Sequence, residues 1–291
     1  MDEASSLVTI IKLAEEENDC RGVVDAMREG SSSALVVKEG AKTITTMSLN
    51  GTAQTDIDFG RAGAVEILVR GLEEHGASDA GVARNGCGAL KNLACGNVDN
   101  KKRIAEAGGI EMIVSVMKEH GASNAGVAKD GFGALRNLAV NNADNKKRIA
   151  EAGSIEMILS MMEVHGASNA GVAEYGCGAL QSLATNNDNN KTLIGAGGIL
   201  RILHVIEQHM VTSADVVMAG CAALGCLALN NALNMRIIPT FNGVNMVKLV
   251  RSTWQSHAGV QKQANLALEI LPQYDEATWI AQLYLKFSKK N

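Results

Sequence analysis

Apolar and polar positions recur along this chain with a fixed period. Three glycines, Gly86, Gly131 and Gly176, are the second residues of similar segments and stand at equal spacings of 45 residues. The segments read "NGCGALKNLA" at 85–94, "DGFGALRNLA" at 130–139 and "YGCGALQSLA" at 175–184. Such a period is typical of stacked repeat proteins, in which each unit buries its apolar face against its neighbours. We therefore interpret the chain one repeat at a time, as an array rather than as one compact core.

The sequence pattern of one repeat predicts three helices. Residues 99–107 form a short helix that Asp99 or Asn100 can cap. The second helix begins at Ile110 and ends at His120, with apolar residues at i, i+3, i+4 and i+7. The third begins near Ser123 or Asn124. Its predicted buried face consists of Val127, Gly131, Ala134, Leu135 and Leu138.

Glycines separate these helices. Gly108 and Gly109 permit a sharp turn between the first and second helices. We expect Gly121 to take the left-handed conformation that often ends a helix. The chain has thirty glycines and only two prolines, which favours an all-α fold. Its apolar content is 46% and its aromatic content only 3%, so we expect a core of Ala, Leu, Ile, Val and Met.

Charge and cysteine content narrow the function classes. The formal net charge is −4, so the chain lacks the excess of positive charge that nucleic acid binding usually needs. The six cysteines form no CxxC pair, which favours reduced thiols in a cytosolic setting. Residues 1–30 do not have the apolar core of a signal peptide. We expect a cytoplasmic protein, with the nucleus as a further possibility, that is monomeric, binds no nucleic acid and does not insert into membranes.

The repeat resembles the armadillo (ARM) family. The segment "NKKRIAEAGGIEMIVSVMKEHGASNAGVAKDGFGALRNLA" is similar to the family's pattern of a short helix, a glycine turn and two longer helices. The resemblance covers almost all of the chain. It implies an all-α, right-handed α-solenoid, or superhelix, of about six armadillo repeats with a C-terminal capping helix.

The predicted organisation has three parts. Residues 1–35 are an N-terminal cap and partial repeat, 36–274 the armadillo repeat array, and 275–291 a C-terminal capping helix and tail. Terminal repeats need such covers because they expose one face of a continuous core. At the N-terminus, Leu7, Ile10, Ile11 and Ala14 either provide the cover or belong to the first repeat.

The resemblance also implies a binding site, because third helices of the family line a concave groove that holds extended segments of partner proteins. In importin-alpha-like members the third helix carries a Trp and, four residues later, an Asn. The Asn is present here as Asn92 and Asn137, whereas glycine stands at the Trp position, so slots for lysine stems are missing. We expect the partner-binding residues to be Arg84, Asn85, Gly88, Lys91, Asn92, Lys129, Gly133, Arg136, Asn137, Tyr175, Gly178, Gln181 and Ser182.

Each of these positions has more than one interpretation. Gly88 either leaves a wide, smooth groove or is a remnant of duplication without a role. Asn92 and Asn137 either bind the partner backbone or satisfy local backbone groups. The basic residues at positions 84, 91, 129 and 136 either attract an acidic extended partner or form a solvated helix face.

Catalysis and metal binding find little support in the sequence. His75, His120 and His165 recur at one repeat position, but equivalent residues of stacked helices stand about 10 Å apart, too far to share a metal. We interpret them as helix-end residues, and Cys87 and Cys177 as small core residues. The basic run in "DNKKRIAEAG" is either a solvated short helix or a polyanion patch.

These observations predict a non-enzymatic scaffold or adaptor that needs no cofactor or metal and binds a protein or extended peptide, acidic in one interpretation. The alternative is a regulator of a small GTPase, either an exchange factor or a chaperone-like factor, in which the groove grips a switch region.

Overall fold

A computed structural model describes residues 2–271, and all of its regular structure is helical. The predicted capping helix at 275–291 lies outside the described residues. In chain order the helices are α1 (Glu3–Glu16), α2 (Cys20–Glu29), α3 (Ala34–Asn50), α4 (Ala53–Ala62), α5 (Ala64–His75), α6 (Ala80–Leu93), α7 (Val98–Glu106), α8 (Gly109–His120), α9 (Ala125–Ala139), α10 (Ala143–Glu151), α11 (Ser154–His165), α12 (Ala170–Ala184), α13 (Asp188–Gln208), α14 (Ala214–Ala228), α15 (Ala232–Thr240), α16 (Gly243–Thr253) and α17 (Ala258–Ile270).

The helices fall into sets of three within two units. The first unit, residues 1–183, contains four sets, from α1–α3 to α10–α12. The second unit begins at residue 184 and contains two sets, because α13 changes direction at Gly195 and supplies both a first and a second helix. The sequence prediction of about six three-helix repeats and an all-α fold is therefore confirmed in the described residues.

The predicted glycine turn between first and second helices is present. Gly108 and Gly153 have φ of 80° and 76°, which a residue with a side chain adopts only at a cost. In the last repeat Asn242 takes the same place with φ of 61°, in keeping with the tolerance of asparagine for this conformation. The chain thus reverses within one residue, and each first helix packs beside its second helix.

The prediction for Gly121 is wrong in its reason. Gly121 has φ of −64°, an ordinary helical value. A Cβ at this position would lie 2.5 Å from the terminal methyl of Met161 in the next repeat. It would also lie 2.6 Å from the backbone oxygen of Met117. Close contacts with its own helix and with the next repeat therefore favour glycine here, and not a left-handed backbone.

Helix spacing predicted the core correctly. On α8, Ile110, Ile113, Val114 and Met117 are buried. The predicted face of α9 is buried as well, and Asn124 caps that helix as expected. The cap of α7 differs from the prediction: Asn97 caps it, whereas Asn100 is buried one turn later.

The histidine row joins successive repeats. Nε2 of His75, His120 and His165 lies 2.8, 2.9 and 2.9 Å from the backbone oxygens of Ser31, Gly76 and Gly121, each 44 residues earlier. In the second unit Trp254 makes the equivalent bond, since its Nε1 donates to the oxygen of Met210 at 2.7 Å. These side chains therefore connect one second helix to the end of the preceding one.

The run "NKKR" also joins repeats through two of its residues, a role that neither sequence interpretation included. Asn100 is buried and donates to the oxygens of Asp56 and Leu93, each at 3.0 Å. Lys101 is 7% exposed and its Nζ donates to the oxygen of Val140 at 2.9 Å. The first helix is thus only partly solvated, because its polar residues satisfy carbonyls at the ends of neighbouring helices.

Candidate functional site

Third helices of the first unit form a continuous layer, which we call the third-helix surface and define as α3, α6, α9 and α12. Helix α6 packs against both α3 and α9. Contacts between the side chains of α9 and the glycines of α12 continue the layer. All thirteen predicted partner-binding residues lie on α6, α9 and α12, so the fold brings them onto one layer.

The predicted residues differ in exposure. Gly88, Gly133, Gly178 and Ser182 are buried, and Arg84 is exposed over 54% of its side chain. The others are partly exposed: Asn85, Lys91, Asn92, Lys129, Arg136, Asn137, Tyr175 and Gln181. Direct contact with a partner is therefore open to the long polar side chains, whereas the glycines lie beneath them.

The asparagines bind the preceding third helix. Nδ2 of Asn137 donates to the oxygen of Lys91 at 2.8 Å, and Nδ2 of Asn92 donates to the oxygen of Thr45 at 3.3 Å. Two turns before Asn92, Asn85 donates to the oxygen of Lys38 at 3.1 Å. One amide proton of each asparagine is thereby used inside the protein, which fixes the side chain and the spacing of the two helices.

Glycines on each third helix lie beneath long side chains of the preceding one. A Cβ on Gly133 would lie 2.5 Å from Cδ of Lys91, and one on Gly178 would lie 3.0 Å from Cδ of Arg136. Gly88, in contrast, would place its Cβ in ordinary contact, 3.6 Å from Thr45 Oγ1. The two later glycines therefore accommodate cationic stems that lie flat along the surface.

Asp130 neutralises part of the basic surface. Its carboxylate lies 3.1 Å from Nζ of Lys91 and 3.5 Å from Nε of Arg84. Nζ of Lys91 also stands 5.5 Å from the ring centroid of Tyr175, within the range of a cation–π contact. The cations of α6 thus have a carboxylate partner inside the protein.

Sequence reasoning missed Asp130 because it compared the charges at the repeat positions of Arg84 and Lys91 and did not compare the position of Asn85. The signal lay in one repeat position, which holds Asn85 on α6, Asp130 on α9 and Tyr175 on α12. A position that changes from amide to carboxylate to aromatic within near-identical repeats indicates a local electrostatic difference.

The cations of α9 have no such partner. Within residues 2–271, no hydrogen bond or ion pair joins Lys129 or Arg136 to another side chain. Tyr175 on α12 stands at the repeat position that Asp130 holds on α9. The surface therefore holds cations with an ion-pair partner at α6 and cations without one at α9.

The thiols of the core are held in their protonated form. Burial raises the pKa of Cys87, and it raises the pKa of Cys221 to about 12. A thiol of such high pKa is a poor nucleophile at neutral pH. These cysteines therefore act as small packing residues.

Among the described residues, no group of three or more His, Cys, Asp and Glu side chains is arranged to hold a metal ion. Within the same range, no helix combines the length and apolar character needed to cross a bilayer.

Comparison with known proteins places the fold. No family model and no curated protein matches the chain. Among solved structures, a designed armadillo repeat protein superposes with a TM-score of 0.69 at 21% identity, covering 81% of this chain and 94% of that one. The chain has an armadillo-like repeat fold.

Two further structures show the same fold. A designed armadillo repeat protein in complex with the peptide (KR)4 matches with a TM-score of 0.65 at 20% identity, over 93% of this chain and all of that one. A structure from work on a phosphorylation switch in the interaction between cadherin and beta-catenin matches with a TM-score of 0.74 at 16% identity. It covers 98% of this chain and 55% of that one. At these identities the likeness concerns the fold.

Proposed function

We propose that this protein is a non-enzymatic scaffold that binds an extended segment of a partner protein along the third-helix surface. The observation that carries the proposal is the layer α3, α6, α9 and α12, in which polar side chains of successive repeats stand at equivalent positions. An extended chain has regularly spaced side chains and backbone groups, so a surface with a regular repeat suits it.

The related structures support the same proposal. One designed protein of this fold is in complex with the peptide (KR)4, and another was designed for modular peptide recognition. Fixed asparagines and flat cationic stems lower the entropic cost of binding, because few side chains need to be ordered by the partner.

Peptide selection followed by site-directed cross-linking tests the proposal. A display library of unstructured peptides is selected on the full chain, and enriched peptides are mixed with variants that carry a photo-reactive residue. One variant replaces Arg136 on α9. The control replaces Lys147 on the first helix α10, whose side chain is 74% exposed.

We expect cross-links at position 136 and none at 147. Cross-linking at 147 alone, or no enrichment over a scrambled library, contradicts the proposal. The alternative as a regulator of a small GTPase predicts faster nucleotide release in the presence of this protein. A scaffold predicts an unchanged rate, and no described contact favours the regulator.

A further inference from the structure

Two pairs of cations on successive third helices are built alike. Arg84 and Lys91 on α6 are seven residues apart, as are Lys129 and Arg136 on α9. In each pair both stems lie over glycines of the next third helix. A Cβ added to the glycine would approach Cδ of the stem above it to 2.9 Å at Gly126, 2.5 Å at Gly133, 2.8 Å at Gly171 and 3.0 Å at Gly178.

The first pair shows what this arrangement binds. Asp130 places its two carboxylate oxygens 3.1 Å from Lys91 and 3.5 Å from Arg84. The carboxylate is largely buried, with 11% of its side chain exposed. Two stems fixed over glycines thus hold one carboxylate between them.

The second pair has the same cations and lacks the carboxylate. Tyr175 occupies the position on α12 that Asp130 occupies on α9. Lys129 and Arg136 are both partly exposed and make no ion pair within the described part of the chain.

We propose that Lys129 and Arg136 bind an aspartate or glutamate side chain of the partner segment, in the arrangement that Asp130 makes with Arg84 and Lys91. The inference rests on the proposed scaffold function and names the chemistry of its partner: an extended acidic segment that crosses α9 and α12. This polarity is opposite to that of the (KR)4 peptide bound by the designed protein of the same fold.

Physical chemistry favours this ligand. Hydrogen bonds between a guanidinium or ammonium and a carboxylate are stronger than neutral ones. The stems are already confined over their glycines, so less rotamer entropy is lost on binding. Opposite charges on surface and segment also speed association at low ionic strength.

Three blocked peptides of equal length test the inference on the full chain: (DE)4, (KR)4 and (GS)4. Fluorescence anisotropy at low and physiological salt gives each Kd. We expect (DE)4 to bind about tenfold or more tightly than (GS)4, and (KR)4 to bind no better than (GS)4. Equal binding of (DE)4 and (GS)4 overturns the inference.

An internal competitor sharpens the test. Tyr175→Asp places a carboxylate where Asp130 stands in the first pair, so it should fill the second pair and weaken (DE)4 binding about tenfold. Tyr175→Asn is the neutral control, because Asn85 is the natural residue at this position of α6. Thr46→Asp on α3 adds the same charge elsewhere on the surface. Both controls should change Kd less than about threefold.

The outcomes separate the two proposals. If Thr46→Asp weakens (DE)4 binding as much as Tyr175→Asp, only net charge acts and the specific site is wrong. If the Arg136 Nε–H signal in NMR does not shift when (DE)4 is saturating, the site is also wrong. In either case, cross-linking of selected non-acidic peptides at position 136 would still support the scaffold function. Circular dichroism and urea unfolding confirm that each variant is folded.

Discussion

Lys91 on α6 and Asp130 on α9 form an ion pair between repeats, with Nζ 3.1 Å from Oδ1 and only 17% and 11% of their side chains exposed. The pair both connects two third helices and sets the charge of the surface. Its two roles can be separated by substitution.

Asp130→Ala should lower the free energy of unfolding by about 2 kcal/mol, because Lys91 loses its carboxylate partner in a largely buried place. Asp130→Asn should cost about 1 kcal/mol, since an amide at this position can donate to the preceding helix, as Asn85 does to Lys38. Urea unfolding measures both. Asp25→Asn removes an exposed carboxylate and is the control, with an expected loss below about 0.5 kcal/mol.

The same two Asp130 variants should bind the peptide (DE)4 more tightly than the wild type, because Arg84 and Lys91 then become available to it. An unchanged Kd would show that α6 does not contribute to binding.

Two neighbouring glycines should respond oppositely to alanine. Gly88→Ala should stabilise the protein by about 0.5–1 kcal/mol, because its Cβ meets nothing closer than 3.6 Å and alanine favours the helix. Gly86→Ala should destabilise it by about 1–3 kcal/mol, because its Cβ would lie 2.7 Å from Cδ2 of Leu72. Thermal and urea unfolding of the two variants, side by side, check the prediction. A change of the same sign in the free energy of unfolding of both variants would show that helix propensity alone determines the effect.

His120→Ala should lower the free energy of unfolding by about 1–2 kcal/mol, because the oxygen of Gly76 loses the hydrogen bond that joins two second helices. His120→Gln keeps a donor and should recover part of the loss. Glu119→Ala, at the exposed neighbouring position, should stay within about 0.5 kcal/mol of the wild type. An equal effect of His120→Ala and Glu119→Ala in urea would contradict a role in joining repeats.

Lys101 should make stability depend on pH in the alkaline range. Burial lowers the pKa of its ammonium group. Between that lowered pKa and the ordinary value of about 10.4, the unfolded state binds more protons than the folded state, so the Lys101 contribution to stability rises with pH.

Comparison with Lys101→Met isolates this contribution, because Met keeps the stem and removes the charge. The free energy of unfolding of the wild type minus that of the variant should increase from pH 7 to pH 10. A flat difference would mean that Lys101 has the same pKa in both states.

Much of the fold could be predicted because it depends on local rules repeated many times. Helical apolar spacing identified the buried residues of α8 and α9, and the glycine turn at Gly108 followed from the backbone freedom of glycine. Contacts between repeats could not be predicted in the same way, since their partners lie about 40–47 residues away along the chain. The buried roles of Asn100 and Lys101, and the packing reason for Gly121, belong to this group.

By itself the sequence determined the period, the helices, the resemblance to armadillo repeats and the set of residues that share α6, α9 and α12. Only the tertiary structure decided which charges on those helices are already paired, because pairing depends on distances of 3–4 Å between side chains of different repeats. It placed Asp130 between Arg84 and Lys91 and left Lys129 and Arg136 without an ion pair among the described residues. A row of like residues in the sequence thereby becomes two unlike sites in the folded protein.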